Sequence, residues 1–358
     1  MLNICITADH ELFFGQNYAS EEAVLIRPTY RLMKVLEEFN IPLCLMTDVC
    51  SINKYRESNI TKCYVPMIER QLCYALENGH DVQLHIHPHW LNSEYTDGQW
   101  KFNYANYRLH SLGFDLDSEQ GGRRIIADGK RYLEDLLKPV LDSYKCVAFR
   151  AGGWCIQPEK EFLEALLAED IRIETTVYNG GFSNTGHQFF DFRHLPNKPN
   201  WWIDPQKGLG YEAKRSDGCL LEVAIGSYGF LPLVGLKKLL YKPYRLSLKG
   251  SSDEVRGCGM LDFIGRSKLK RIADEIQRIF FQPIVFTFDS ACSKVMVDFV
   301  NYYLMRFDCS NQEIYVSIIG HPKALTTTSL DEIRKFCMEV TGSFSEKVRF
   351  IRLRDIPL

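Results

Sequence analysis

Apolar residues in the first half of the chain fall into short continuous runs, separated by stretches with helical spacing. Runs at 2–8, 41–46, 82–86, 146–149 and 171–177 are bounded by polar or turn residues, the mark of strands buried on both faces. Between the first two runs, Leu32, Val35, Leu36 and Phe39 share one face of a helix that has Pro28 in its first turn and is closed by Asn40 and Pro42. Between the next two, Ile68, Leu72, Ala75 and Leu76 line a helix that starts at Pro66 and is capped by Gly79. A helix over 118–138 precedes the fourth run, and one beginning at Pro158 precedes the fifth. Such alternation predicts parallel strands joined by crossover helices.

The second half is less regular. Residues 178–218 are rich in Gly, Asn and Trp and read as irregular, and 91–116 reads as a long polar and aromatic loop over a site. Further strands are expected at 220–225, 283–288, 313–319 and 348–353, with a last helix opened by a Ser329–Glu332 capping box. Seven or eight strands with helices between them predict an α/β fold, an irregular (β/α)7-type barrel with long loop insertions; a doubly wound open sheet is the other arrangement. There is no low-complexity linker and no internal repeat, so 1–358 reads as one domain with insertions near 91–116 and 178–280.

Apolar residues make up 46% of the 358, enough for a large core. The formal net charge of −2 argues against a partner recognised by phosphate neutralisation, so no nucleic acid is expected. The 12 cysteines are scattered through apolar runs without a CxxC pair. They read as small core side chains in a reducing compartment, which with the absence of a signal-like start points to the cytoplasm. The segment 230–242 is apolar and basic. It is read as an amphipathic helix with its lysines in water, in preference to peripheral membrane contact. Nothing in the sequence sets an oligomeric state.

The chemistry gathers at strand ends. The run Leu84-His85-Ile86-His87-Pro88-His89-Trp90 places three imidazoles in five residues, and Thr7-Ala8-Asp9-His10-Glu11 follows the first strand. Carboxylate and imidazole are the donors of a zinc site that keeps a position open. Asp9 and Glu11 point the same way on an extended segment, which suits one base and one metal ligand. His85 and His89, four apart across Pro88, are chosen to converge with Glu11 on the ion, although spacing alone does not separate this pair from His85 and His87. His87 is then an outer or substrate-facing residue, with Trp90 and Trp154 as further substrate contacts. Asp9 would take a proton from water, Arg150 would hold Asp9 ionised, and His321 would protonate a leaving amine. Arg150, Asp289 and His321 also follow strands, and in a barrel that rim carries the chemistry.

Taken together, these motifs resemble the NodB-type polysaccharide deacetylases, carbohydrate esterase family 4 of the glycoside hydrolase/deacetylase superfamily. The resemblance rests on Thr7 to Glu11, His85 to His89, Phe149-Arg150-Ala151-Gly152-Gly153-Trp154 and Gly320-His321-Pro322, spread from residue 2 to about 323. It implies Asp9 as base, Glu11, His85 and His89 on a divalent ion (Zn2+ first), Arg150 orienting Asp9 and His321 as acid. It also implies Asp289 as the partner of His321. The substrate would be an acetylated sugar unit carried on nucleotide, lipid or polymer in surface-polysaccharide assembly. The sequence departs from the family where His10 separates the two acids and where Ala-Gly-Gly follows Arg150. Two other readings stand beside this one. One is a glycosidase using Glu222 and Asp289; the other is a glycan-binding module without catalysis.

Overall fold

The computed structural model describes residues 1–114, 121–185, 187–228, 256–258, 282–289 and 292–358. The segment 230–242 lies outside them. The first apolar run forms β1 (Leu2–His10), which is buried over its whole length and has neighbours on both sides. On one side it pairs in parallel with β8 (Ile314–Gly320), from Leu2 opposite Ile314 to Ala8 opposite Gly320. On the other, β9 (Val348–Phe350) covers Leu2 to Ile4, and β2 (Leu43–Asp48) takes over from Ile6 to His10. The order continues in parallel through β3 (Asp81–Ile86), β4 (Ala148–Ala151), β5 (Ile173–Glu174) and β6 (Leu220–Val223). The ends of this curled sheet meet where Ile225 bridges Ser317, and the segment that begins with β7 (Ile284–Val285) joins beside it where Thr287 bridges Ile319. The result is the expected α/β barrel-like fold, with helices and long loops around it.

Alternation along the strands sorts the core into two parts. Cys5, Cys44, Met46, Ala148, Ile173, Leu221 and Val223 pack together inside, with Leu353 and Ile356 from the chain's end. Leu2, Ile4, Ile6, Leu43, Leu45, Val82, Leu84 and Phe149 face the helices. Those helices are α1 (Arg27–Glu37), α2 (Val49–Glu57), α3 (Val65–Glu77), α4 (Gly122–Leu137), α5 (Lys160–Ala168), α6 (Ser293–Arg306) and α7 (Thr327–Ser343). Strands buried on both faces explain the continuous apolar runs. Among the described residues no helix is long and apolar enough to cross a membrane.

Several boundaries differ from the sequence expectations for physical reasons. β2 begins two residues late, because Pro42 offers no N–H to a ladder, and runs on through the buried Thr47 and Asp48. The capping box of α7 is made by Thr326 and Ser329, whose side chains each accept from the other's backbone N–H. Glu332 instead accepts from the Ser293 N–H and hydroxyl, tying α7 to α6. The region 178–218 is not wholly irregular: a strand at Asn200–Ile203 adds antiparallel to β6 and is itself flanked by Glu212–Ala213.

The barrel interior grades from apolar to charged along its axis. Above the Cys5 layer, Thr7 donates to the Ile318 carbonyl at 2.6 Å, and the Thr175 and Ser317 hydroxyls pair at 2.9 Å. Above them lie Asp9 and Arg150, 2.6 Å apart. The close approach of β8 to the 286–288 segment needs Gly320, whose missing Cβ would stand 2.1 Å from the buried Phe288 ring. Gly320→Ala should therefore destabilise the protein by about 1–3 kcal/mol, read as a lowered urea midpoint, and should disturb the adjoining His321.

Candidate active site

Arg150 leaves the end of β4 pointing inward and is fully buried. Its Nε donates to the Thr175 carbonyl at 2.8 Å and its Nη1 to Asp9 Oδ1 at 2.6 Å. Burial alone would raise the Asp9 carboxyl, but Arg150 above all holds it below its ordinary value. Asp9 Oδ2 is left facing His321 Nε2 at 3.7 Å and His85 Nε2 at 3.9 Å.

His85 sits at the end of β3, and its Nδ1 lies 2.8 Å from the Arg150 carbonyl. A carbonyl only accepts, so Nδ1 carries a proton, and Nε2 of the neutral ring presents a lone pair. That lone pair points at Glu11 Oε2, 3.1 Å away. His87 Nε2 reaches the same oxygen at 2.7 Å. Electron-rich atoms so close require a cation between them, a proton or a metal ion. Glu11, His85 and His87 are all buried, and their ligand atoms lie within 4.8 Å of one another. The donor set and its outer support on His85 thus fit a divalent ion.

His89 is the correction. It is fully buried, and neither ring nitrogen meets a hydrogen-bond partner. It stacks on Tyr107 at 5.5 Å and meets Phe14 and Phe102 edge-on at 4.8 and 5.1 Å. Burial pushes its imidazole well below the usual range, with His87 adding to the effect. Pro88 starts a single helical turn, Pro88–Trp90, which ends the two-residue alternation and carries His89 off the strand face. His87, expected to be an outer or substrate-facing residue, is the imidazole that joins Glu11 and His85 in the group that could hold an ion. Trp90 is also corrected: it is fully buried against Tyr55, Trp100 and Phe102.

His321 follows β8. Its Nδ1 donates to Asp289 Oδ2 at 2.6 Å, and its backbone N–H donates to Asp289 Oδ1 at 2.7 Å. Burial lowers the imidazole, but the Asp289 charge and hydrogen bond outweigh it and push it up to about 9, so it is protonated at neutral pH. Asp9, Glu11, His87 and His321 open on one cavity of about 200 Å³, walled by Phe14, Tyr107, Trp154, Gln188 and Lys323. Trp154 thus lines this cavity. It is held at φ 59 beside Gly153 at φ 60, where a Cβ would strike Tyr107.

Sequence reasoning missed Lys323 and Asp48. Lys323 donates to Glu11 Oε1 at 2.7 Å. Asp48 accepts from the His87 N–H at 3.1 Å, and burial pushes its carboxyl up to about 7. Both lie just past strand ends or at one, so the rule that found Asp9 and Arg150 applies to them equally. Glu222 takes no part in the site. It lies opposite Glu174 in the β5–β6 ladder and opposite Trp201 on the added strand, and it is not among the cavity's walls. Its carboxyl oxygens lack well-formed hydrogen bonds, and burial followed by the neighbouring Glu174 raises it well above the ordinary glutamate value.

Comparison with known proteins leaves the chemistry to these residues. No family model matches the chain, and no curated protein does. Solved structures similar to it include a Mycobacterium smegmatis protein assigned as a polysaccharide deacetylase, at 12% identity and TM-score 0.45 over 99% of this chain and 88% of that one. Puue allantoinase is similar at 12% identity and TM-score 0.43, over 99% and 87%. A GH57-type branching enzyme from Pyrococcus horikoshii is similar at 9% identity and TM-score 0.49, over 99% and 69%.

Two outcomes follow from this geometry. His87→Ala should weaken binding of Zn2+ by more than the roughly 10–100-fold typical of losing an outer partner, whereas His89→Phe should leave it within a few-fold, by calorimetric titration. Glu222 supplies the second. Its raised carboxyl keeps a proton that the unfolded chain releases above about 4.5, so the native state loses stability as pH rises through that range. Glu222→Gln removes that loss and lets the amide donate to Glu174. Its melting temperature should exceed wild type at pH 8, and the advantage should shrink towards pH 4.5.

Proposed function

We propose that this protein is a metal-dependent hydrolase that removes an acyl group, acetyl first, from the nitrogen of a sugar unit. One observation carries the reading: a buried carboxylate held by an arginine, a carboxylate–imidazole donor set and a protonated imidazole open on one small cavity. That is the combination amide hydrolysis needs, and Asp289 and Glu222 do not form the facing pair of a glycosidase.

Glu11, His85 and His87 would hold the ion, with Zn2+ proposed from the imidazole-rich donors. An ion there would supply an acidified water and a Lewis acid for the acyl oxygen. The chain's own groups supply the rest. Asp9 Oδ2, its other oxygen occupied by Arg150, accepts the proton of the attacking water. The new carbon–oxygen bond forms as the proton moves. His321 then gives the Nε2 proton to the departing nitrogen as the carbon–nitrogen bond breaks, leaving a carboxylic acid and an amine. Asp289 holds the His321 ring with Nε2 turned towards Asp9 and Glu11. Phe14, Tyr107 and Trp154 offer apolar faces, and Gln188 an amide, to a sugar ring and its hydroxyls.

The substrate is therefore read as an acetylated amino sugar borne on a nucleotide, lipid or polymer, and the enzyme as a cytoplasmic one. The free thiols of Cys5, Cys44, Cys50, Cys146 and the other cysteines whose side chains are described support that compartment.

The test is acetate release from a panel of N-acetylated sugar donors, with metal content measured on the same samples. Wild type should carry about one ion per chain and lose activity to a chelator. Asp9→Asn should keep the ion yet lose activity by about 100-fold or more. A protein that stays active without metal, or cleaves aryl glycosides with Asp9 replaced, would overturn the proposal.

A further inference from the structure

The two oxygens of Glu11 have different neighbours. Oε2 faces His87 Nε2 at 2.7 Å and His85 Nε2 at 3.1 Å. Oε1 accepts from the Lys323 ammonium at 2.7 Å and faces His321 Nε2 at 3.5 Å. Lys323 is not a free surface lysine that happens to reach an acid. Only 11% of its side chain is exposed. Its Nζ also donates to the Leu12 carbonyl at 2.8 Å and sits 4.2 Å from the centre of the Phe14 ring. Its backbone is set by the turn Pro322–Ala324 directly after β8, where Ala324 donates to the His321 carbonyl at 2.9 Å.

An ammonium fastened on three sides holds the carboxylate in one rotation. A carboxylate can give an ion one oxygen or two, and here the second oxygen is already taken. We infer that Lys323 is a positioning residue that keeps Glu11 a one-oxygen ligand, so that three protein donor atoms, and not four, face the ion. This rests on the reading of Glu11, His85 and His87 as the ion site. The consequence is chemical: a catalytic centre needs a coordination position for water, and a second carboxylate oxygen would compete for it. Simple charge neutralisation predicts no such division between the oxygens. A lysine serving only as a counter-charge would be equally effective on either one.

The inference is read without activity, by loading the protein with Co2+, whose visible absorption is strong in four-coordinate sites and several-fold weaker as coordination rises. Wild type should give the strong spectrum. Lys323→Met frees Oε1 to turn to the ion, so the absorption should fall several-fold while Co2+ remains bound at one per chain. Lys323→Arg, which restores a donor to Oε1, should recover most of it. Should the methionine variant fail to fold, by circular dichroism, Lys323→Ala is measured in the same way. A folded Lys323→Met or Lys323→Ala that binds Co2+ with the wild-type spectrum overturns the role of Lys323 and leaves the ion site standing. A wild type that binds no Co2+ overturns the ion site itself.

Discussion

Arg150 is the constraint on which the site is built. A guanidinium cannot shed its proton, so a fully buried one must find acceptors for its donors. Here it finds the Thr175 carbonyl and Asp9, and its own carbonyl accepts from His85 Nδ1. One residue thereby holds Asp9 below its ordinary value and also fixes the tautomer of His85. Neither effect survives alone: rotate the β4 end and Asp9 loses its counter-charge while His85 loses its orientation. The hydroxyls of Thr175 and Ser317 beneath it grade the interior, so the charge does not rest directly on the Cys5 layer.

The remaining charges are matched in the same way. Burial would raise Glu11, yet Lys323 above all holds it well below the ordinary value. His321 is raised by Asp289 against its own burial. His321 and Asp9, 3.7 Å apart, each answer first to a different outer partner, Asp289 for one and Arg150 for the other. The Glu174–Glu222 pair is the contrast. It is just as buried but, among the described residues, forms no ion pair, and burial raises both carboxyls with Arg150 only partly opposing it. Equal burial with different partners lowers Glu11 and raises Glu222.

Much of this was legible in the chain because parallel strands end on one rim. The apolar runs located β1, β3 and β8, and Asp9, Glu11, His85 and His321, at or just past the ends of those strands, fall together for that reason. What stayed hidden depends on contacts between distant segments. Lys323 lies two residues past His321, and its value comes from meeting Glu11, 312 positions away. Glu332 looked like a cap to its own helix and serves Ser293 on another. Asp48 was passed over because it ends an apolar run with a single acid, and a single acid carries no spacing to read.

The His85–His87–His89 run shows where spacing misleads. An i, i+4 pair suggests a shared ion when the backbone is helical, and an i, i+2 pair does when it is extended. The choice therefore depends on where the strand stops. β3 is extended through Ile86, and His87 itself keeps φ −117 and ψ 91, so His85 and His87 remain on one face. Pro88 then begins a helical turn, and a turn placed after His87 cannot return His89 to that face. The aromatic rings that receive His89 make the same point from the other side: an imidazole bonded to nothing and stacked on Tyr107 fills space as a phenylalanine would. The local rule that proline opens a turn at its own position outweighs a longer-range pattern of histidines, because backbone direction is settled before any side chain can choose a partner.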